Sequence, residues 1–262
     1  MTSSPSGRLY LVPNALDFGL PASHTQAGLD EVLPAGVIRI AARLSHWVCE
    51  NAKTTRALLK RVDAIVPLAA PLQSVSITEL PRPGKGGAKQ AAPGRETWYE
   101  LLKPTLAGHD IGLLSEAGLP AVADPGSSLV EAAHDRGIDV VALAGASSLL
   151  LALAASGLQG QSFAFVGYLP VDPAARAQRI RELEITSRHH DQTQLMIETP
   201  YRNQALLSAL LASLQPATRL AVACGLTLPC GFNRSATVAD WRKRGWRLPS
   251  DVPTVFSMLG VS

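Results

Sequence analysis

The sequence predicts an α/β protein of two domains with mainly parallel sheets, and three observations point there. Short apolar runs alternate with helical patterns along nearly all of the 262 residues. The apolar fraction is 47% and the charged fraction 17%, enough to bury a core and too apolar for disorder. Ala, Leu and Val dominate while aromatics make up only 5%, which suits helices packed closely on parallel strands.

In chain order, the apolar runs predict strands over 9–12, 37–42, 65–68, 111–114, 140–143, 164–168, 194–197, 220–223 and 255–259. Helical patterns fill the spaces between them at 45–61, 96–106, 127–136, 147–156, 174–183 and 201–214. In the last of these, Leu206, Leu207, Leu210, Leu211 and Leu214 recur at helical spacing, so that stripe faces a core. Nine strands exceed one nucleotide-binding half. The polar, Gly-containing break Ser156-Gly157-Leu158-Gln159-Gly160-Gln161-Ser162 then divides the chain into domains 1–158 and 159–262, with a cofactor cleft between them.

The most informative stretch is Ser115-Glu116-Ala117-Gly118-Leu119-Pro120-Ala121-Val122-Ala123-Asp124-Pro125-Gly126. It follows the run Ile111-Gly112-Leu113-Leu114 and reads as a strand, a sharp turn, and a helix with Asp124 as N-cap and Pro125 at its first position. Open α/β sheets bind ligands in loops at the carboxyl ends of their strands. Gly118 permits close backbone approach, while Pro120 and Pro125 stiffen the path. The same features also serve a tight connection that binds nothing. Three more loops follow strands: Pro13-Asn14, Ala144-Gly145-Ala146-Ser147-Ser148 and Glu198-Thr199-Pro200-Tyr201-Arg202. The second of them opens a helix, whose free N–H groups can hold a carboxylate. No G-x-G-x-x-G is present, which argues against an ordinary dinucleotide-binding domain.

Twenty-four Lys and Arg against 21 Asp and Glu give a net charge of +3, too small to demand a polyanionic partner. The charge is concentrated, however. Segment 81–94 carries Arg82, Lys85 and Lys89 with no acidic residue, and reads either as an arm for phosphates or as a solvated loop. A second cluster is Arg242-Lys243-Arg244 with Arg247. Cys49, Cys224 and Cys230 are odd in number and off any metal-ligand spacing, as expected of reduced thiols in a cytosolic protein. The adjacent His189 and His190 cannot share a helix face, and no metal is expected. The first residues lack an apolar signal core, and the run 149–155 is too short to span a bilayer. A cytoplasmic protein that avoids membranes is the expectation.

Five motifs in order carry a resemblance: Leu9-Tyr10-Leu11-Val12-Pro13, the stretch from Ser115 to Gly126, Leu143-Ala144-Gly145-Ala146-Ser147-Ser148, Phe165-Val166-Gly167-Tyr168-Leu169-Pro170, and Glu198-Thr199-Pro200-Tyr201-Arg202. The chain resembles the tetrapyrrole-methylase-type (class III) methyltransferases over most of its length. Within them it is most similar to the branch that methylates a cytidine ribose 2′-hydroxyl of small-subunit ribosomal RNA. The resemblance implies S-adenosylmethionine folded between two α/β domains. It would lie against Pro13, Ala117, Gly118, Leu119 and Val122, with Ser147 and Ser148 at the helix start. Ile197, Glu198, Ala223, Pro253 and Thr254 would close over the adenosyl part. A homodimer and a ribosomal RNA partner are also implied.

Two stretches depart from that branch. Its acidic A-E-D-T-R motif is replaced by Cys49-Glu50-Asn51-Ala52-Lys53, and its charged R-E-L-T-K by Cys224-Gly225-Leu226-Thr227-Leu228. The cofactor loops therefore match more closely than the substrate loops. The alternatives are methylation of a tetrapyrrole or another small molecule, and a non-catalytic relative that binds S-adenosylmethionine. For catalysis the candidates are Glu198, as cofactor orienter or proton acceptor, and Arg202, as phosphate contact, with Tyr201, Glu50 and Lys53 near them. Glu198 and Arg202 also have the four-residue spacing of a helical ion pair.

Overall fold

Five short strands assemble into one parallel sheet in the amino-terminal half of this computed structural model, which describes residues 6–17, 28–81 and 93–261. The chain divides into two units, Met1–Ala146 and Ser147–Ser262.

In the first unit the strands are β1 (Leu9–Leu11), β2 (His46–Cys49), β3 (Ser76–Glu79), β4 (Ile111–Leu114) and β5 (Val140–Ala142). They lie in the order β3-β2-β4-β1-β5, every pairing parallel. The helices are α1 (Leu29–Val32), α2 (Ala35–Arg43), α3 (Ala52–Asp63), α4 (Arg95–Leu106) and α5 (Ser127–Asp135). One core joins α1, α2 and α3 to the sheet around Trp47, Leu58 and Leu59. Another joins α4 and α5 to it around Leu102, Leu113 and Leu129. Both faces are thus covered, as continuous apolar strands require. The connection leaving β1 runs toward β2, and that leaving β4 runs toward β5. Their helices lie in different cores, so the neighbouring ends of β1 and β4 form a switch point of the kind where such sheets bind ligands.

Two expected strands are something else. Residues 37–42 lie inside α2, whose buried Val37, Ile38, Ala41 and Ala42 follow helical spacing; the run is short and apolar, where period cannot separate strand from helix. Residues 65–68 lie in a turn after α3, and the sheet takes 76–79 instead, a strand whose exposed residues carry no apolar signature. The expected helix 45–61 splits into β2 and α3 at Asn51, which caps α3 by accepting hydrogen bonds from the backbone N–H of Lys53 and Thr54.

The second unit holds α6 (Ser148–Ser156), β6 (Phe163–Tyr168), α7 (Pro173–His190), β7 (Thr193–Glu198), α8 (Asn203–Ser213), β8 (Arg219–Cys224), β9 (Phe232–Thr237), α9 (Val238–Arg244) and β10 (Thr254–Leu259). Its sheet runs β6-β7-β10-β8-β9. Only β6 and β7 pair in parallel, and the other three pairings are antiparallel. The expectation of mainly parallel sheets therefore holds for the first unit and is corrected for the second. The leucine stripe of α8 is core as expected, with Leu206, Leu207 and Leu210 fully buried beside Trp241 and Phe256.

The division falls ahead of α6, not at the polar segment 156–162. Packing is the reason: Leu149, Ala152 and Leu153 of α6 bury themselves against Leu195, Ala223 and Val255 of the second sheet. The helix was legible; its allegiance was not.

Candidate functional site

Three loops converge at the carboxyl edge of the first sheet, two of them joined through backbone hydrogen bonds and the third packed closely against both. Asn14, after β1, exchanges hydrogen bonds with Gly118, after β4: Asn14 N–H donates to the Gly118 carbonyl at 2.8 Å, and Gly118 N–H donates back at 3.2 Å. The buried Asn14 side chain also donates from Nδ2 to the carbonyls of Ser115 (3.2 Å) and Glu116 (2.9 Å), while its Oδ1 accepts from Ala15 N–H at 2.9 Å. The third loop, after β5, closes on the other two. A Cβ on Gly145 would stand 2.2 Å from Pro13 Cβ, and one on Gly118 would stand 3.6 Å from the Ala146 carbonyl oxygen.

The β4 loop is also shaped by left-handed backbone, at Gly118 (φ 66°), Ala121 (φ 64°) and Ala123 (φ 65°). Two alanines there carry a strain that glycine would not. Gly118 is thus required by its own dihedral as much as by close approach. The helix after this loop starts later than expected: its N-cap is Gly126, at φ 133°, and neither Asp124 nor Pro125 is in it. Of the residues expected to hold the cofactor, Pro13, Ala117 and Gly118 are buried beneath the loop surface, Leu119 is half-buried and Val122 is exposed.

Beside this lip, toward β2 and β3, the same edge becomes acidic. Glu50 follows β2, Glu116 follows β4, and the Glu116 N–H donates to Glu50 Oε2 at 3.1 Å. Asn51 Nδ2 donates to Glu116 Oε1 at 2.7 Å. Burial, then the charge of Glu50, pushes the Asp124 carboxyl up to about 7; Glu116 adds to this and the Ser115 hydroxyl opposes it. Ser115 Oγ is buried and has no hydrogen bond of ordinary geometry, although it lies within reach of Asp124. A cavity of about 480 Å³ opens here, lined by Glu50, Asn51, Leu80, Trp98, Glu116 and Pro125 among others. In the sequence nothing sets Trp98 apart within the helical pattern 96–106, and nothing joins Glu50 to Trp98 or Glu116. No spacing rule joins residues this far apart in sequence; only the parallel register does.

In the second unit, strand register gathers the expected residues at one end of the sheet. Thr254 stands opposite Glu198 on β7 and Cys224 on β8, while the next residue, Val255, stands opposite Ile197 and Ala223. The Pro253 carbonyl accepts from Gly225 N–H at 2.9 Å. Glu198, 8% exposed, accepts four hydrogen bonds on Oε1: from Thr199 N–H (2.7 Å), Thr199 Oγ1 (3.2 Å), Arg202 Nε (3.0 Å) and Arg202 Nη2 (2.7 Å). The ion pair read from the four-residue spacing is therefore formed, though it spans the turn from β7 to α8 and does not lie within a helix. Ser147 is the buried N-cap of α6, and Ser148 is its first residue.

The second basic cluster is only partly free. Arg242 donates to the Leu211 and Leu214 carbonyls, capping α8. Arg234 and Arg244 instead place their guanidinium groups over the Trp246 ring, at 4.6 and 5.3 Å, and Arg247 is exposed. Arg82, Lys85 and Lys89 lie outside the described residues. Among the described residues, no three His, Cys, Asp or Glu gather as metal ligands, and no helix is long and apolar enough to cross a membrane.

Comparisons with known proteins agree on one family. The family described as Tetrapyrrole (Corrin/Porphyrin) Methylases matches residues 21–233. The chain is 39% identical over 210 residues to a protein of Streptococcus pyogenes serotype M3 named Ribosomal RNA small subunit methyltransferase I, covering 79% of this chain and 61% of that one. It is 30% identical over 230 residues to the protein of that name from Mesorhizobium japonicum, covering 88% and 67%. The chain thus spans about 61% of the length of the streptococcal relatives it matches. The solved structure of the methyltransferase CobJ superimposes with a TM-score of 0.56 at 17% identity, covering 97% of this chain and 95% of that one, a likeness of fold.

Proposed function

This chain belongs to the tetrapyrrole (corrin/porphyrin) methylase family, and on that premise we propose that it transfers a methyl group from S-adenosylmethionine to a ribose 2′-hydroxyl of ribosomal RNA. The observation that carries the reading is the convergence of the loops after β1, β4 and β5. Together they make an uncharged, tightly shaped lip with apolar Leu119 and Val122 at its surface, which suits an adenosyl group. Pro13, Ala117, Gly118, Leu119 and Val122 would serve from the first unit. From the second, Ser147, Ser148, Ile197, Glu198, Ala223, Pro253 and Thr254 would serve. The names of the sequence relatives support the RNA acceptor.

When bound, the cofactor supplies a methyl group already activated on a sulfonium. What remains for this chain is mostly alignment. Arg202 fixes Glu198 through Oε1. Glu198 Oε2, which takes none of those four bonds, would accept the hydroxyl proton. Arg234, Arg244 and Arg247 would meet phosphates.

We read the active form as a cytoplasmic homodimer. Supporting it, the edge strand β6 leaves Phe163, Phe165 and Tyr168 exposed at 43%, 37% and 57%. Sedimentation as a monomer at micromolar concentration would contradict the pairing. For the cofactor, titration calorimetry with S-adenosylmethionine and S-adenosylhomocysteine is the test, and no binding at millimolar ligand would sink it. For the acceptor, 2′-O-methylation is mapped on small-subunit RNA from a deletion strain. An unchanged map rules that RNA out.

A further inference from the structure

The carboxyl edge of the first sheet has two halves, and only one is spoken for. The ends of β1, β4 and β5 form the uncharged lip. The ends of β2, β3 and β4 form the acidic cavity of about 480 Å³. The two halves share the β4 loop, with Glu116 on the cavity side and Ala117 and Gly118 on the lip side. A group seated in the cavity therefore lies next to whatever the lip holds. Its volume falls within the roughly 300–1,000 Å³ typical of small-molecule sites.

The lining selects among ligands. Glu50 and Glu116 can only accept hydrogen bonds when ionised, and Asn51 is already committed to Glu116. Trp98, Leu80 and the prolines Pro81, Pro93 and Pro125 supply flat apolar wall. Asp124 adds a third carboxyl group within range of both glutamates. A phosphate or a ring fringed with carboxylates would meet like charge here. A flat heterocycle with N–H donors on its edge would be stacked and paired, as unstacked bases are in single-stranded RNA recognition.

We propose that the cavity between the ends of β2, β3 and β4 seats the base of the methyl-accepting nucleotide, stacked against Trp98, with its exocyclic amino group donating to Glu50 or Glu116. This rests on the RNA reading above. It goes further by naming the seat, the edge of the base that is read and the acceptors excluded. The ribose of such a base is held toward the lip, while its phosphates stay outside the acidic wall.

The test uses the full chain loaded with S-adenosylhomocysteine, so that no nucleoside can enter the cofactor site. Binding of cytidine, guanosine and uridine is measured by calorimetry. Cytidine or guanosine is expected to bind about tenfold or more tightly than uridine. Trp98→Leu should weaken that binding by about tenfold or more, the scale of one base–aromatic stack. Trp98→Phe should retain most of it. Glu50→Gln still accepts from the Glu116 N–H but adds an amide donor, so it should narrow the preference over uridine; circular dichroism checks the fold of each variant. Equal binding of all three nucleosides, or affinities unmoved in Trp98→Leu and Glu50→Gln, overturns the seat. So does undetectable nucleoside binding by wild-type protein that methylates RNA, and that result leaves the RNA reading standing. Trp98-dependent binding of an amino-bearing nucleoside by a protein that leaves ribosomal RNA unmethylated supports the seat and removes the ribosomal acceptor.

Discussion

The loops after β1, β4 and β5 and the loop after β7 are held in shape by opposite means. In the first unit the backbone does the holding: Asn14 and Gly118 exchange hydrogen bonds, Gly145 lies flat against Pro13, and left-handed residues turn the chain. In the second unit the loop after β7 is held by a single carboxylate, with four donors on Glu198 Oε1. A loop held by backbone shape tolerates no added atoms and is insensitive to charge. A loop held by a carboxylate tolerates shape changes and fails when the charge is left alone.

That contrast breaks first at Gly145. A valine there drives Cβ into Pro13, where 2.2 Å separates the atoms before any relaxation. We expect Gly145→Val to abolish binding of S-adenosylhomocysteine and to destabilise the protein by about 3 kcal/mol or more. Gly118→Val should likewise abolish binding, through its φ of 66°. Calorimetry and denaturant unfolding check both. Wild-type affinity in either variant would mean that the lip is not where the cofactor lies.

The charge-held side should be softer. Arg202→Ala leaves the nearly buried Glu198 carboxylate without its guanidinium, at a cost of about 1–3 kcal/mol. Glu198→Gln keeps an acceptor and should cost less. Single-turnover methylation separates structure from chemistry. If both variants bind cofactor and keep wild-type rates, catalysis is alignment alone, and neither residue takes part in proton transfer.

The same contrast explains what the sequence made legible. Gly118, Pro13 and the Glu198/Arg202 spacing could be read because each needs only its own neighbourhood: a turn, a strand end, a strand-to-helix connection of four residues. Ile197, Ala223 and Thr254 are ordinary β residues in sequence, and it is the antiparallel register that sets them side by side. The acidic cavity was invisible for the same reason, since Glu50, Trp98 and Glu116 come from three separate βα segments. The run 37–42 reads as a strand yet is helical, because five apolar residues in six suit either period. β3 was missed because an edge strand at 76–79, with its residues largely exposed, shows no apolar pattern.

A smaller effect separates the lip from its acidic neighbour through pH. The Asp124 carboxyl is raised from 3.8 to about 7 in the folded protein, by burial first and by Glu50 second. Below about pH 4 both folded and unfolded chains carry its proton, and the group is neutral to stability. As pH rises from there to 7 the unfolded chain loses the proton while the folded chain keeps it, so stability falls across that window. Asp124→Asn should therefore raise the melting temperature at pH 8, with the gain shrinking steadily toward pH 4. A gain that is the same at both ends would show that Asp124 is not held protonated.

The smallest effect belongs to the strain itself. Ala123 sits at φ 65°, where an L-residue costs about 1–2 kcal/mol relative to the right-handed region. Ala123→Gly removes that cost but adds about 0.5–1 kcal/mol of backbone entropy to the unfolded chain. The net should be a stabilisation within about 1 kcal/mol, or a rise of about 2–4 °C at most for a chain of this size. Ala132→Gly, in the buried middle of α5, gives the opposite sign, because there glycine loses both helix propensity and packing. If Ala123→Gly lowers the melting temperature as Ala132→Gly does, the loop is not strained at that position. If it raises the melting temperature while loosening S-adenosylhomocysteine binding, the left-handed alanine is part of what preorganises the lip, and the backbone-held site sacrifices stability to keep its shape.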